Sequence, residues 1–288
     1  MIPSPAIEDH QTASAPPPLR PWGRWGLRIT AACYLALLIV VPVTAIFHSG
    51  LERGLGSFWE SITGPVALSA LSLTLVTAFV TTLINAVMGT MAAYVLVRQD
   101  FPGRSVLNAL IDMPFAVPTL VTGVMLVILY GPQGMVGGWF AFYGIDIVFA
   151  KPGIVLALLL ITYPFVVRSV QPVLLTMKTD QEEAAYTLGA SRWTTFWRIV
   201  LPAIFPAIVT GSLLTFARAI GEFGSIVVVS GNIPGRTLTA PVHIFGLIES
   251  DNPSGASALS IVLLSLSFTL VLVVDWLQKR KEADHGSA

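Results

Sequence analysis

Apolar residues gather along this chain into six runs, at about residues 27–47, 66–97, 106–131, 153–176, 199–230 and 256–278. Each reaches the roughly 20 residues that a helix needs to cross a hydrocarbon core about 30 Å thick. Six membrane-spanning helices are therefore expected. The second and fifth runs exceed what a bilayer requires and should tilt or project beyond it. Pro114, Pro118, Pro164, Pro172 and Pro206 punctuate the runs. Each removes a backbone donor and tends to kink its helix, which is tolerable where neighbouring helices or a cavity satisfy the freed groups. One stretch breaks the pattern. "EEAAYTLGASRWTTFWRIVLP", residues 182–202, places carboxylates, two arginines and two tryptophans between the fourth and fifth runs.

Composition sharpens the class. The chain is 54% hydrophobic and 11% charged, against about 25% charged in a soluble domain, so it reads as an all-α integral membrane protein. A formal net charge of zero offers no basic field for nucleic acid. Cys33 stands alone, which rules out a disulfide framework and a cysteine metal site. His10, His48, His243 and His285 are too scattered for a local ligand set, so neither metal nor cofactor is expected. Residues 1–24 are rich in Pro, Ser and Ala without apolar periodicity and read as a disordered tail. The first span, residues 25–48, is too long for a signal-peptide core and no small-x-small cleavage site follows it. Residues 65–279 then form the main transmembrane core, and 280–288 a short second tail.

Loop charges give the orientation. With a cytoplasmic N-terminus, Arg20, Arg24, Arg28, Arg98, Arg104, Lys178, Arg192, Arg198, Lys279, Arg280 and Lys281 fall inside, and only Arg53, Lys151 and Arg236 outside. Eleven against three is a positive-inside bias. Both termini and the 182–202 stretch therefore face the cytoplasm.

Within the polar loop, residues 179–202, Thr179-Asp180-Gln181-Glu182 has the form of a capping box. Asp180, Glu182 and Glu183 put negative charge in a first helical turn, where the helix dipole favours it. Ala184, Ala185 and Leu188 make a small apolar face. Gly189 stands where a left-handed residue would end the helix, and Ser191 can cap a second one. Trp193, Phe196, Trp197 and Val200 follow at the spacing of one helical face. Two readings stand: an amphipathic helix lying on the bilayer, or a docking element with a fixed pose against a soluble partner. No G-x-x-x-x-G-K-[ST] loop, serine triad or H-E-x-x-H occurs, so neither an ATP site nor an enzymatic centre has a seat on this chain.

Polar residues inside membrane spans are costly and mark candidate functional positions. Here they are Asn85, Asp112, Arg168, Gln171, Arg218 and Glu222. Arg168, with Gln171 beside it, either snorkels to headgroups or serves a pathway or gate. Arg218 and Glu222, four apart, either neutralise each other as a structural pair or line a pathway. Asp112 has the charge to pair with an arginine, and sequence does not choose which.

Glu183-Ala184-Ala185, Gly189 three residues on, then Ile199, Leu201 and Pro202 resemble, without a gap, the EAA-G-I-LP motif of bacterial ABC importer permeases. That resemblance implies a type I importer permease bundle (MetI-like), whose cytoplasmic loop forms a coupling helix seated in a groove of an ATP-binding subunit. "FPGRSVLNALIDMPFAVPTLVTG", "YPFVVRSVQPVL" and "FARAIGEFGSIVVVSGNIPGRT" are similar to segments of sulfate/thiosulfate importer permeases of the CysT (CysU) type, over about residues 65–280. The resemblance implies a bacterial cytoplasmic (inner) membrane subunit carrying sulfate, with thiosulfate as a further cargo. Its implied partners are a CysA-type ATP-binding subunit, a CysW-type second permease, a periplasmic or lipid-anchored sulfate-binding protein and membrane lipid. Molybdate permeases and the CysW type are close alternatives. A self-sufficient channel or carrier is the alternative of a different class.

Overall fold

A computed structural model of the chain describes residues 21–285. The helices are α1 (Pro21–Leu51), α2 (Gly54–Thr63), α3 (Pro65–Arg98), α4 (Arg104–Ala116), α5 (Thr119–Tyr130), α6 (Gly137–Phe142), α7 (Lys151–Thr176), α8 (Asp180–Thr187), α9 (Arg192–Thr195), α10 (Leu201–Ile220), α11 (Gly224–Val229), α12 (Ala240–Glu249) and α13 (Pro253–His285). A π-helical turn, Phe196–Val200, joins α9 to α10. No strand occurs among the described residues. A boundary between Ala45 and Ile46, inside α1, divides the chain into two units. The first holds most of α1, which keeps its apolar run unbroken despite Pro42. The N-terminal tail expected from sequence lies, up to residue 20, outside the described residues.

In the second unit α3, α7 and α10 pack on one another, and α13 lies against α10 and α12. The sequence of α3 explains the contact. Its buried positions are mostly small or hydroxylated, among them Ala70, Thr74, Ala78, Thr81, Asn85, Gly89 and Ala93. Their spacing of three and four builds one helical stripe. In lipid no hydrophobic force drives helices together, so close approach of small residues and interhelical hydrogen bonds must do it. Both are present. A Cβ on Gly89 would lie 2.9 Å from Val166 Cβ, and one on Gly211 would lie 2.8 Å from Val166 Cα. Val166 of α7 is thus gripped between α3 and α10. Asn85 Nδ2 donates to Thr162 Oγ1 at 2.9 Å, and Thr162 donates to its own helix at Leu158 O, 2.7 Å. Leu96, Val167, Val170, Leu174, Val200 and Ile204 form one buried apolar cluster, at the end of the bundle that carries the polar loop. Ile154, Leu158, Ile220, Ile226 and Val242 form a second.

Two expected spans are not single helices. The run at 106–131 is a broken pair, α4 and α5, bent by 112°. Val117 is extended (φ −86°, ψ 127°), as the residue before a proline prefers, and Pro118 has no N–H with which to continue the helix. The run at 199–230 stops at Ile220 and resumes as the short α11. Among the described residues five helices are long and apolar enough to cross a membrane, and six spans result when the bent pair counts as one. Pro164 and Pro172 lie inside a continuous α7.

Candidate functional site

Two helix-terminal devices fix the polar loop. Gly189 adopts φ +84°, and around it the amide of Ala190 donates to Ala185 O (2.9 Å) and that of Gly189 to Tyr186 O (3.0 Å). This is the paired bonding of a Schellman C-cap, which needs a left-handed residue at its corner. Two residues later Ser191 Oγ accepts from the Thr194 amide at 3.2 Å and starts α9. The chain therefore leaves α8 and enters the next helix through a defined corner.

The expected capping box at the start of α8 is absent. Thr179 has helical backbone angles and its side chain caps nothing. Glu182 turns instead toward Arg98, with Oε1 2.8 Å from Nη2. A long-range charge contact has displaced the local motif. Sequence reasoning missed this pair, although an arginine closing an apolar run was a visible signal.

The motif residues divide in two. Glu183, Ala184 and Gly189 are exposed and Ala185 is half-buried, beside Tyr186 and a Leu188 that is 88% exposed. Ile199 and Leu201 are half-buried, Leu201 against the Val200–Ile204 cluster, while Pro202 is exposed in the first turn of α10. One part presents a surface and the other anchors it. The four-residue aromatic face expected at 193–200 is also divided. Val200 is buried and Phe196 meets Tyr94 edge-on at 5.3 Å, whereas Trp193 and Trp197 are exposed. The wider π turn accounts for this by rotating successive side chains less than an α-helix does.

Arg168 and Gln171 meet two residues of α4. The Arg168 guanidinium grips Asp112 with Nε–Oδ1 at 2.7 Å and Nη2–Oδ2 at 2.5 Å. This is a bidentate charge-assisted pair. The same group donates to Asn108 Oδ1 (3.1 Å), Asn108 O (3.0 Å) and Gln171 Oε1 (2.5 Å). Gln171 Nε2 adds a bond to Asn108 Oδ1 at 3.1 Å. The donors of Arg168 are thus engaged by Asp112 and Asn108 of α4 and by Gln171 of its own helix. Asp112 finds its arginine here, and Asn108 is an addition, one turn before Asp112 on the same helix.

Arg218 and Glu222 form the expected pair, 2.7 Å apart. Glu222 is buried, and its other oxygen accepts from the Ser225 amide (2.9 Å) and hydroxyl (3.0 Å). One carboxylate thus neutralises α10 and caps α11, which explains the break after Ile220. Gly224 lets this corner seat on the start of α5, since a Cβ there would stand 2.2 Å from Thr119 Oγ1. The two broken spans meet at their breaks. Neither span arginine is left as a free cation. Lys151 and Arg236 instead border a cavity of about 580 Å³ beside α3 and the start of α7, and neither makes a salt bridge within 4.0 Å among the described residues. The described residues also bring no three His, Cys, Asp or Glu together as a metal-ligand group.

Comparison with known proteins adds names. A family model described as binding-protein-dependent transport system inner membrane component matches residues 85–283. The chain is 43% identical over 254 residues to a probable sulfate transport system permease protein cysT of Nephroselmis olivacea, covering 88% of this chain and 89% of that one. It is 40% identical over 250 residues to the sulfate transport system permease protein CysW of Synechocystis sp., covering 87% and 91%. In structure it resembles a chain of a bacterial alginate ABC transporter, crystallised with an alginate pentasaccharide-bound periplasmic protein. There the TM-score is 0.76 at 16% identity, over 90% of this chain and 94% of that one. That likeness carries the fold alone, an all-helical bundle like that of the type I ABC importer permeases.

Proposed function

Because this chain belongs to the family of binding-protein-dependent transport system inner membrane components, a multi-pass family of transport permeases, we propose that it is the CysT-type membrane subunit of an ATP-driven sulfate importer. It works in the cytoplasmic membrane with both termini inside. Its partners are a CysA-type ATP-binding subunit, a CysW-type permease and an external sulfate-binding protein. It performs no ATP hydrolysis itself. The names of the relatives support the cargo.

One observation carries the mechanism. The face of α8, with Glu183, Ala184, Tyr186 and Leu188, is exposed at a corner whose angle Gly189 fixes. An 88%-exposed leucine at the corner that ends a polar helix suits a groove on a soluble motor. On this reading α8 is the coupling helix, and ATP-driven movement of the motor is felt first at Glu183–Gly189. Arg168 with Gln171, and Arg218 with Glu222, act as gates. Arg168 is held to α4 by Asp112 and Asn108, and Glu222 links α10 to α11, so each group bridges elements that can separate or slide when the pathway opens, and each guanidinium faces a carboxylate while closed.

The test is uptake of radiolabelled sulfate at low concentration in the native host with this chain deleted and then restored, with molybdate as competitor. Loss on deletion, recovery with the wild type and indifference to molybdate are expected. A fall in molybdate uptake instead would overturn the cargo and leave the fold. Uptake that survives depletion of cellular ATP would overturn the motor reading in favour of a channel or carrier.

A further inference from the structure

Helix α8 is tied to the membrane bundle by one ion pair, and its placement is specific. Arg98 is the last residue of α3. Its guanidinium lies 2.8 Å from Glu182, in the first turn of α8, and donates to Met177 O at 3.3 Å. Met177 is the C-cap of α7. One side chain therefore touches the C-terminal ends of two spans and the N-terminal end of the loop helix. The electrostatics agree at every contact: a cation is favoured at the ends of α3 and α7, and a carboxylate at the start of α8. Only 15% of the Arg98 side chain and 7% of the Glu182 side chain are exposed. Among the described residues no other salt bridge reaches α8.

Stability does not explain this pair. A buried ion pair gains little over an apolar replacement, because desolvation offsets the attraction. The pair also leaves hydrogen-bonding capacity unused, since Arg98 Nε and Glu182 Oε1, although buried, have no hydrogen-bond partner and meet only as charges. What the contact supplies is a short charge contact that holds an exposed helix to the ends of two long ones. Arg168 stands nine residues before Met177, about 14 Å along the helix at 1.5 Å per residue, so the end of α7 that Arg98 holds is continuous with the Arg168–Asp112 pair.

We propose that Arg98 and Glu182 are positioning residues that pass movement of α8 to α3 and α7, and through α7 to the Arg168–Asp112 gate. This inference rests on the reading of α8 as the surface that meets the ATP-binding subunit. The pair stands behind that surface and does not form it: Glu182 is buried, whereas Glu183 and Leu188 are exposed.

The experiment uses the assembled transporter in proteoliposomes, with sulfate uptake and ATP hydrolysis measured together on Arg98→Met, Glu182→Gln, Arg98→Lys and, separately, Gly189→Arg. Arg98→Met and Glu182→Gln should co-purify with the ATP-binding subunit in wild-type amount and hydrolyse ATP. Their uptake per ATP should fall tenfold or more. Arg98→Lys, which keeps the cation, should retain most of the coupling. Uptake per ATP within twofold of wild type in Glu182→Gln would overturn the proposal, and so would loss of the ATP-binding subunit from that variant, because the pair would then merely shape the docking surface. Should Arg98→Met fail to insert, the isosteric Glu182→Gln decides alone. Gly189→Arg reports on docking only: if it keeps the ATP-binding subunit, the docking reading falls, and the coupling ratio of Glu182→Gln is still read on its own.

Discussion

Gly189 permits a separation of backbone strain from docking. Its φ of +84° is one that a side chain disfavours, yet a Cβ built there meets nothing within 4 Å. Any substitution therefore pays for the left-handed corner without a clash inside the protein. That cost is about 1–2 kcal/mol for an ordinary L-residue and less for Asn, whose short polar side chain tolerates the region. One kilocalorie corresponds to roughly a fivefold shift in the local equilibrium, confined to a surface turn. Three variants then make a graded series. Gly189→Asn should transport nearly as the wild type. Gly189→Ala should lose a few-fold at most. Gly189→Arg carries the same backbone cost as Ala, but adds a long cation beside the exposed Leu188. If this face enters a groove of the ATP-binding subunit, its uptake should fall tenfold or more at equal membrane abundance. The assay is initial-rate sulfate uptake normalised to immunoblotted protein in membranes. Equal uptake by Ala and Arg would refute the reasoning, since backbone strain alone would then account for the site.

Other outcomes follow from the packing and the charges. Removing one partner of the Arg168–Asp112 pair by Arg168→Gln or Asp112→Asn leaves a charge uncompensated. The cost of about 3–5 kcal/mol for a fully buried pair is discounted here to roughly 1–2, because the two side chains are 30% and 52% exposed. The double variant should melt above either single one in detergent. Gly211→Ala pushes a methyl to 2.8 Å from Val166 Cα and should cost about 1–3 kcal/mol by overpacking; Gly56→Ala, whose Cβ meets nothing within 4 Å, is the neutral control, read by thermal unfolding. His243 in α12 is held below its ordinary pKa by burial. Its neutral form is thus the one that fits, and the stability it contributes is complete above the unfolded value near 6.5 and lost as pH falls below it. The melting temperature should drop between pH 7 and 5, and less so in His243→Gln.

Local chemistry was legible in the sequence and long-range chemistry was not. A spanning helix must satisfy its own backbone, so the six runs announced themselves by apolar length alone. Gly189 and Ser191 were readable as corner and cap because their partners lie within five residues. The break at Pro118 was read as a kink. Apolar sequence on both sides looks the same whether a helix bends gently or by 112°, and neighbouring helices decide which. The capping box failed for a related reason. Thr179-x-x-Glu182 is a valid local pattern, but Glu182 had a better partner 84 residues earlier in Arg98. Glu222 was correctly paired with Arg218, and its second role in holding the Ser225 amide appears only once the chain has turned back.

The pairing of both span arginines bears on what such a pathway does with an anion. A lone buried arginine would hold an oxyanion firmly, and a site that binds too well does not release. In this chain each guanidinium already has its carboxylate, Arg168 with Asp112 and Arg218 with Glu222, so the spans present no net positive charge from these groups. On the proposed reading this division of labour is economical in physical terms. Capture belongs to the external binding protein, which releases its cargo to a pathway that holds it weakly. The permease contributes neutral pairs whose separation, rather than whose affinity, admits the anion. Lys151 and Arg236, two cations with no salt bridge among the described residues, border one cavity at the far end of α7 from the polar loop, where on the same reading an arriving anion would be steered and not trapped.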